Sequence, residues 1–234
     1  MKTLGILGGM GAEATSLFYK KIIQATDVSC DQDHIPTIMI NQTTLPDRSP
    51  DILNGQLDEL GQQIHEIGLK LETAGADYIV MPCNTVHVFL PYLEPLNIPV
   101  IDMIQETANV LQKKNINKIG ILATNATLQS QLYQKKLTQI GIQSVLPNPV
   151  EQETVMKVIF DIKANKCKQT AQTELNSIIT NLQQQEISDI ILGCTELPLI
   201  TQKHPQIKLY DPLDILATAC INYSCQKTPI PRVL

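Results

Sequence analysis

The chain has 234 residues, of which 43% are hydrophobic and 18% are charged, and its net charge is −5. This composition is ordinary for a globular protein, and it supplies enough apolar residues for a substantial core. The net negative charge and the lack of tryptophan argue against a nucleic-acid partner, because such surfaces are basic and use aromatic side chains for stacking.

The N-terminal residues run from Met1 directly into a glycine-containing apolar pattern, without the long apolar stretch of a signal peptide. No run approaches the roughly 18 apolar residues that a membrane-spanning helix needs. We therefore expect a cytoplasmic protein with no membrane partner, in which the six cysteines are reduced.

Apolar runs and amphipathic stretches alternate along the first half of the chain. Runs at 3–7, 37–41, 77–81 and 98–102 predict buried strands. The clearest helix lies between 57 and 74, where apolar residues recur at steps of three and four and Gly75 marks the end. An earlier helix is predicted from one apolar face, which contains Ala14, Leu17, Phe18, Ile22 and Ala25. Such alternation is typical of a parallel sheet covered on both faces.

The same pattern starts again near the middle of the chain. The segments 118–122, 188–195 and 206–211 resemble 2–7, 76–85 and 97–102 in turn. The interval from Gly5 to Cys83 is 78 residues, and the interval from Gly120 to Cys194 is 74. The sequence therefore predicts an α/β fold with two pseudo-symmetric lobes, each a parallel sheet flanked by helices, with the active site in the cleft between them. We assign 1–102 and 212–234 to the N-terminal lobe and 103–211 to the C-terminal lobe.

A cysteine stands at the same point of each repeat, where an apolar strand ends and a helix is predicted to begin. These are Cys83 and Cys194. Open α/β sheets bind ligands at the carboxyl ends of their strands, and a helix N-terminus favours a thiolate over a thiol. Two thiols on opposite faces of one carbon can exchange its proton, one as the base and the other as the acid. Racemisation needs this arrangement.

Other interpretations of these cysteines stay open. Free cysteines are often buried as small apolar residues, and the two could also form a disulfide. The pairs Cys30/His34 and Cys83/His87 have a spacing that suits zinc ligands. We expect no metal, because nothing in the sequence brings the two pairs together.

The segment Gly9-Met10-Gly11 follows a predicted strand and precedes a helix, which fits two kinds of loop. It could bind a dinucleotide, or its backbone N–H groups could bind a substrate carboxylate. The next strand ends at Asn41 without the acidic residue that a ribose requires, which favours the carboxylate. Arg48 is predicted in a loop just after this strand, where its guanidinium could bind a carboxylate or face solvent.

Four motifs together resemble the aspartate/glutamate racemase superfamily, and they are most similar to its aspartate racemase branch. They are Gly5-Ile6-Leu7-Gly8-Gly9-Met10-Gly11, Pro46-Asp47-Arg48, Met81-Pro82-Cys83-Asn84-Thr85-Val86-His87 and Gly193-Cys194-Thr195-Glu196. The resemblance covers essentially the whole chain. It implies an enzyme without a cofactor, often a homodimer, that interconverts L- and D-aspartate by a two-base mechanism.

The resemblance implies that Cys83 and Cys194 are the catalytic pair. The candidate substrate-binding residues are Met10, Asn41, Arg48, Asn84, Thr85, Thr124, Lys163, Thr195 and Glu196. Among them, Arg48 and Lys163 match the cationic positions that bind substrate carboxylates in aspartate racemases, although Lys166 is close enough to be confused with Lys163. Glutamate racemases usually carry Asp-Ser in place of the first glycine pair, so the resemblance favours aspartate.

Several alternative functions stay open. Within the superfamily they are a glutamate or broad-specificity racemase, and a cis–trans isomerase or decarboxylase of a diacid, although a decarboxylase needs only one of the two cysteines. A two-lobed protein that binds an amino acid without turnover belongs to a different class, and it has no use for two opposed thiols. PLP-dependent racemisation does not fit, because no lysine adjoins either cysteine motif.

Overall fold

The computed structural model describes residues 1–202 and 204–231. Contacts within the chain divide it into two compact units. The first comprises Met1–Glu106 and the C-terminal segment that begins at Leu213, and the second comprises Thr107–Pro212. Of the predicted lobe segment 212–234, residues 232–234 lie outside the described residues.

The first unit contains a parallel four-stranded sheet in the order β2-β1-β3-β4. Its elements are β1 (Leu4–Gly8), α1 (Ala12–Ala25), β2 (Thr37–Asn41), α2 (Arg48–Asn54), α3 (Asp58–Thr73), β3 (Tyr78–Val80), α4 (Leu90–Leu93), β4 (Val100–Ile101) and α5 (Met103–Lys113). Short 3-10 helices occur at Asp31–Asp33 and Thr85–Phe89. The division between the units falls inside α5.

The second unit also contains a parallel four-stranded sheet, in the order β6-β5-β7-β8. Its elements are β5 (Lys118–Ala123), α6 (Asn125–Gln129), α7 (Leu132–Gln139), β6 (Gln143–Val145), α8 (Pro149–Lys163), α9 (Lys168–Gln184), β7 (Asp189–Gly193), the 3-10 helix Leu197–Leu199 and β8 (Lys208–Tyr210). Helix α10 (Pro212–Ser224) then returns the chain to the first unit. Each sheet places its strands in the order second, first, third, fourth, so the predicted α/β fold with two parallel, helix-flanked sheets is confirmed.

Both faces of each sheet are covered. In the first unit, Tyr78 and Val80 pack in one apolar cluster with Phe18 of α1. The intervening Ile79 packs in another cluster with Ile64 of α3. Successive strand residues point to opposite faces, so a strand covered on both sides is apolar throughout. Each such buried side chain contributes about 1.5–3 kcal/mol to folding.

The core of the second unit is built in the same way. Leu122 of β5 and Leu192 of β7 pack against Val155 of α8 and Leu175 of α9. Cys194 belongs to this cluster, so the end of β7 is covered by apolar side chains. Among the described helices, none combines the length and apolar character needed to cross a bilayer.

Local sequence located most elements, with differences at their ends. The predicted helix at 57–74 is α3, and the predicted strand at 37–41 is β2. The strand predicted at 98–102 shortens to Val100–Ile101. Pro99 has no N–H for the ladder, and the carboxylate of Asp102 instead accepts from the N–H of Ile104 over 2.8 Å, at the start of α5.

Candidate active site

Cys83 lies in the turn after β3, and residues 81–87 are called the Cys83 turn below. The strand ends at Val80, and Pro82 has no N–H with which to continue the ladder. The N–H of Cys83 donates to the carbonyl of Met81 over 2.8 Å, which tightens the turn. The Cys83 side chain is 6% exposed and packs within an apolar cluster of the first unit.

Cys194 occupies the corresponding position in the second unit, directly after Gly193, the last residue of β7. Residues 193–199 are called the Cys194 turn. This side chain is also 6% exposed. Its thiol donates to Oε2 of Glu196 over 2.9 Å, and the hydroxyl of Thr195 donates to the same oxygen over 3.3 Å. Glu196 is itself only 5% exposed, so the thiol and the carboxylate meet away from solvent.

This environment raises the pKa of Cys194 well above its ordinary value. Burial is the largest cause, followed by the charge of the Glu196 carboxylate and its hydrogen bond, whereas the backbone N–H of Glu196 and the charge of Lys163 act in the opposite direction. The prediction that Cys194 favours the thiolate is therefore wrong: the Glu196 N–H acts in the predicted direction, but burial and the carboxylate outweigh it. The helix that follows is a 3-10 helix of only three residues, which is too short for an appreciable macrodipole.

The glycine loop between β1 and α1 is closed by internal contacts. Gly9 has a φ of 95°, and a Cβ built on it would lie 2.4 Å from the backbone carbon of Gln42, so only glycine fits. The Gly9 N–H donates to the hydroxyl of Thr15 over 3.0 Å, and this hydroxyl donates to the carbonyl of Gly11 over 2.8 Å. The predicted role of the loop's N–H groups is thus wrong for Gly9, whose N–H is used within the protein.

Arg48 begins a helix and does not lie in a loop as predicted. Asp47 is the N-cap of α2, and its carboxylate accepts from the N–H of Ser49 over 3.0 Å. The sequence offered this capping signal, because aspartate is among the preferred N-cap residues. The helix was missed because it is only seven residues long.

The Arg48 guanidinium lies beside the glycine loop. Its Nη2 donates to the carbonyl of Met10 over 3.2 Å, and its Nη1 donates to the carbonyl of Pro46 over 3.4 Å. The Nε atom is buried, with no hydrogen-bond partner among the residues the structure describes. Asn41 pairs with Gly8 at the ends of β2 and β1, so the first unit brings Met10, Asn41 and Arg48 to one edge of the sheet.

Thr124 leaves the second sheet beside Cys194. Ala123 of β5 pairs with Gly193 of β7, so Thr124 and Cys194 follow paired residues of neighbouring strands. Thr124 also serves as the N-cap of α6, where its hydroxyl accepts from the N–H of Thr127 over 3.2 Å.

Lys163 and Lys166 have different surroundings, which distinguishes them as candidates for the cationic position. Lys163 is the last residue of α8, and its charge acts on Cys194. Lys166 instead forms an ion pair with Asp161 at 2.8 Å. Lys163 is therefore the lysine that the second unit brings towards its cysteine.

The one role that the sequence offers for the side chain of His87 is that of a zinc ligand. Its Nδ1 lies 2.8 Å from the carbonyl oxygen of Cys83, and its Nε2 accepts from the N–H of Met103 over 3.0 Å. Neither ring nitrogen is therefore available to a metal. Within residues 1–202 and 204–231, no group of three or more histidine, cysteine or acidic side chains is placed to hold one. The four-residue spacing from Cys83 was the signal that could have linked His87 to the turn.

The six cysteines are free thiols, including Cys83 and Cys194. The fold and the two turns thus define an α/β protein of two parallel sheets, each with a nearly buried cysteine shortly beyond its third strand. The family model of the Asp/Glu/hydantoin racemases matches residues 7–220. The chain belongs to this family, and the superfamily inferred from the four motifs is confirmed.

Proteins of similar sequence include racemases of two kinds. The broad specificity amino-acid racemase RacX of Bacillus subtilis (strain 168) is 31% identical over 229 residues, which cover 94% of this chain and 96% of that protein. The glutamate racemase of Latilactobacillus sakei subsp. sakei (strain 23K) is 35% identical over 130 residues, which cover 53% of this chain and 45% of that protein.

Solved structures show the same similarity. The Picrophilus torridus aspartate racemase has a TM-score of 0.86 and 33% identity, covering 96% of this chain and 95% of its own. An aspartate racemase homologue from Pyrococcus horikoshii OT3 has a TM-score of 0.79 and 27% identity, covering 96% of this chain and 100% of its own. The protein is accordingly an amino-acid racemase, an isomerase that acts on a small-molecule amino acid.

Proposed function

We propose that this protein is a cofactor-independent aspartate racemase that moves the α-proton of its substrate between Cys83 and Cys194. The observation that carries the proposal is the repeated placement of a cysteine, 6% exposed in both cases, within three residues of the end of the third strand of each parallel sheet. Membership of the racemase family and similarity to the Picrophilus torridus aspartate racemase support the reaction and the substrate.

The proposed reaction needs both thiols to reach the Cα of one bound substrate, from opposite faces. One cysteine, as the thiolate, removes the α-proton and leaves the electron pair on Cα. The other, as the thiol, delivers its proton to the opposite face and becomes the thiolate. Proton and charge are therefore conserved, and the enzyme ends each turnover with the roles of its cysteines exchanged.

Cys194 is the proton donor in the resting enzyme under this proposal. Its thiol already donates to Glu196, and burial with this carboxylate raises its pKa. Cys83 is then the first base for the enantiomer that presents its α-proton to it. We propose that Glu196 keeps the Cys194 thiol protonated. We prefer this role to the substrate contact expected from the sequence, because a buried carboxylate would repel an acidic substrate.

The two cationic side chains suit a substrate with two carboxylates. Arg48 has a buried Nε without a partner among the described residues, and its planar fork matches carboxylate geometry. Lys163 adds positive charge near Cys194. We propose that these two residues bind the substrate carboxylates. Asn84, Thr85, Thr124 and Thr195 would provide hydrogen bonds, and Met10 and Asn41 would line the first unit's share of the site.

A broad-specificity racemase is the second candidate, favoured by the 31% identity to RacX across 94% of this chain. Substitution of Arg48 by Leu distinguishes the two. If aspartate is the substrate, this change should raise the KM for aspartate at least about tenfold, because a charged hydrogen bond contributes roughly 1.5–3 kcal/mol. The KM for alanine would stay similar.

A cytoplasmic homodimer is part of the proposal, and sedimentation of the purified protein tests the dimer.

The primary test is circular dichroism of L-aspartate with purified protein in D2O, with a reducing agent and no added cofactor. Wild-type protein should abolish the optical signal and place deuterium at Cα. Cys83→Ala and Cys194→Ala should each lower the rate by about 10²–10⁴-fold, as expected for loss of an acid or base. Cys30→Ala, at an exposed cysteine, is the matched control and should keep full activity.

Two results would overturn parts of the proposal. Full racemisation by either alanine variant would exclude the two-thiol mechanism. Racemisation of other amino acids but not of aspartate would exclude aspartate and support the broad-specificity alternative.

A further inference from the structure

His87 is only 3% exposed, and both of its ring nitrogens have partners in the protein. Both nitrogens are hydrogen-bonded to the backbone of the first unit, Nδ1 to Cys83 at 2.8 Å and Nε2 to Met103 at 3.0 Å. Because its two partners are known, the tautomer and the charge of this histidine, which contacts the proposed base Cys83, can be inferred.

The two partners fix the tautomer of the ring. A backbone N–H can only donate, so the contact with Met103 requires a lone pair on Nε2. The proton of a neutral ring must then be on Nδ1, where it donates to the carbonyl oxygen of Cys83. Burial lowers the pKa of His87. The charge of Asp102 and the backbone groups of Cys83, Asn84 and Ile101 act in the opposite direction but do not outweigh burial, so the neutral form agrees with the hydrogen bonds.

The second partner of His87 is the anchored end of a helix. Met103 is the first residue of α5, and its N–H would otherwise lack an intrahelical acceptor. The next two N–H groups, of Ile104 and Gln105, donate to Oδ1 of Asp102 over 2.8 and 3.1 Å. His87 therefore connects the Cys83 turn to a helix start whose first three donors all have acceptors.

Among the described residues of the second unit, no side chain makes an equivalent connection to the carbonyl of Cys194. The carbonyl of Cys194 accepts from the backbone N–H of Leu197 over 3.1 Å, within its own turn. The residue four positions after Cys194 is Pro198, which has no donor to offer. The side chain of His87 thus supports only one of the two cysteines, and the support goes through the backbone and not through the thiol.

We propose that His87, as the neutral Nδ1–H tautomer, is a positioning residue that holds the Cys83 carbonyl and thereby directs the Cys83 thiol at the substrate. The proposal rests on the proposed function, since it assigns a role to His87 in placing one of the two bases. It predicts that the bond to Cys83 governs turnover, whereas the bond to Met103 governs mainly the stability of the start of α5.

The tautomer is tested by two-bond ¹H–¹⁵N NMR of protein labelled at its four histidines. The His87 ring should show a protonated Nδ1 and an unprotonated Nε2 at pH 7, and His87→Asn, which removes this signal, provides the assignment. A ring protonated at Nε2, or at both nitrogens, would overturn the proposal. This measurement needs no substrate, so it is independent of whether aspartate is racemised.

A matched pair of variants separates the two hydrogen bonds. The amide of asparagine lies near the place of Nδ1 and can keep the bond to Cys83, while the longer glutamine amide lies near Nε2 and can keep the bond to Met103. We expect His87→Gln to lower kcat about 10- to 100-fold, the cost of a misplaced reacting group, with little change in KM or thermal midpoint. His87→Asn should keep most of kcat but unfold at a lower temperature.

Alkylation of Cys83 by iodoacetamide, followed by peptide mass spectrometry, provides the readout without turnover. The rate at Cys83 should change in His87→Gln and not in His87→Asn, while the rate at Cys194 stays the same in both. Equal losses of kcat and stability in the two variants, or higher kcat in His87→Gln, would show a merely structural role. If the alkylation pattern holds while no variant and not even wild type racemises aspartate, the proposed function fails and the positioning role stands.

Discussion

The Cys83 and Cys194 turns follow equivalent strands and leave each thiol equally little exposed, yet they hold their cysteines by different contacts. At Cys194 the contact is with the thiol itself, which donates to the Glu196 carboxylate. At Cys83 the contact is with the backbone carbonyl, through the ring of His87. The repeated fold therefore supplies equivalent positions, while nearby side chains give the thiol of one cysteine a carboxylate partner and the backbone of the other a hydrogen-bond partner.

The loops after the first strand of each sheet differ in the same way. In the first unit, Gly9 adopts a positive φ and lies against the backbone of Gln42. In the second unit, Thr124 occupies the corresponding place and caps a helix through its hydroxyl. One loop thus depends on the absence of a side chain, and the other depends on a particular side chain.

We expect the largest effect from serine variants of the two cysteines, which should also show that each cysteine acts on a different enantiomer. Cys83→Ser and Cys194→Ser should each lower racemisation about 10³-fold, because a hydroxyl is a far weaker acid than a thiol: it supplies almost no anion to act as the base and is a poorer proton donor. Each variant should still exchange the α-proton of one enantiomer with D2O, a different one in each case, as followed by ¹H NMR. Exchange of the same enantiomer by both would contradict the assignment of one cysteine to each face, and Cys30→Ser is the control.

The next largest effect is on the free energy of unfolding, which should fall more for a change in the Gly9 loop than for one in the Thr124 loop. Gly9→Ala should lower the free energy of unfolding by about 2–4 kcal/mol, because it combines a positive φ with a backbone clash. Thr124→Ala should cost only about 1 kcal/mol, the usual cost of losing an N-cap. Urea denaturation measures both.

Gly55→Ala provides the control for the backbone conformation alone. Gly55 has a φ of 71° but nothing within 4 Å of an added Cβ, so the change should cost roughly 1–2 kcal/mol. If Gly9→Ala costs no more than this control, the close approach of Gln42 does not constrain the loop.

The smallest effect tests the carboxylate beside Cys194. Glu196→Gln removes a negative charge that raises the pKa of Cys194, so this pKa should fall and the thiolate fraction at a given pH should rise. Alkylation of Cys194 at pH 8 should become about tenfold faster, and its pH profile should move to lower pH. Peptide mass spectrometry distinguishes Cys194 from the exposed cysteines.

Glu153→Gln, at an exposed position of the same unit, should leave that alkylation rate unchanged. A slower or unchanged rate in Glu196→Gln would mean that the carboxylate does not hold the thiol proton. The difference proposed between the two turns would then lie only in the backbone support of Cys83.

The elements that could be predicted from sequence are those with a strong local pattern. Helix α3 was located from its three- and four-residue steps, and β2 from its apolar run. Strand β6 was not located, because its residues are exposed or half-buried and form no apolar run. Helix α2 is not predicted, because its seven residues are too few to show a periodic pattern. For the same reason, Arg48 is predicted in a loop.

The sequence by itself determined the two-fold repeat, the α/β class and the pair of cysteines, because buried strands, amphipathic helices and repeated motifs are properties of neighbouring residues. Only the tertiary structure decided how the two cysteines differ. The thiol of Cys194 meets Glu196 where burial strengthens the effect of its charge, and His87 reaches both Cys83 and the start of α5, 16 residues further along the chain. Burial and the contact between His87 and Met103 depend on the packed fold, so spacing along the chain does not reveal them.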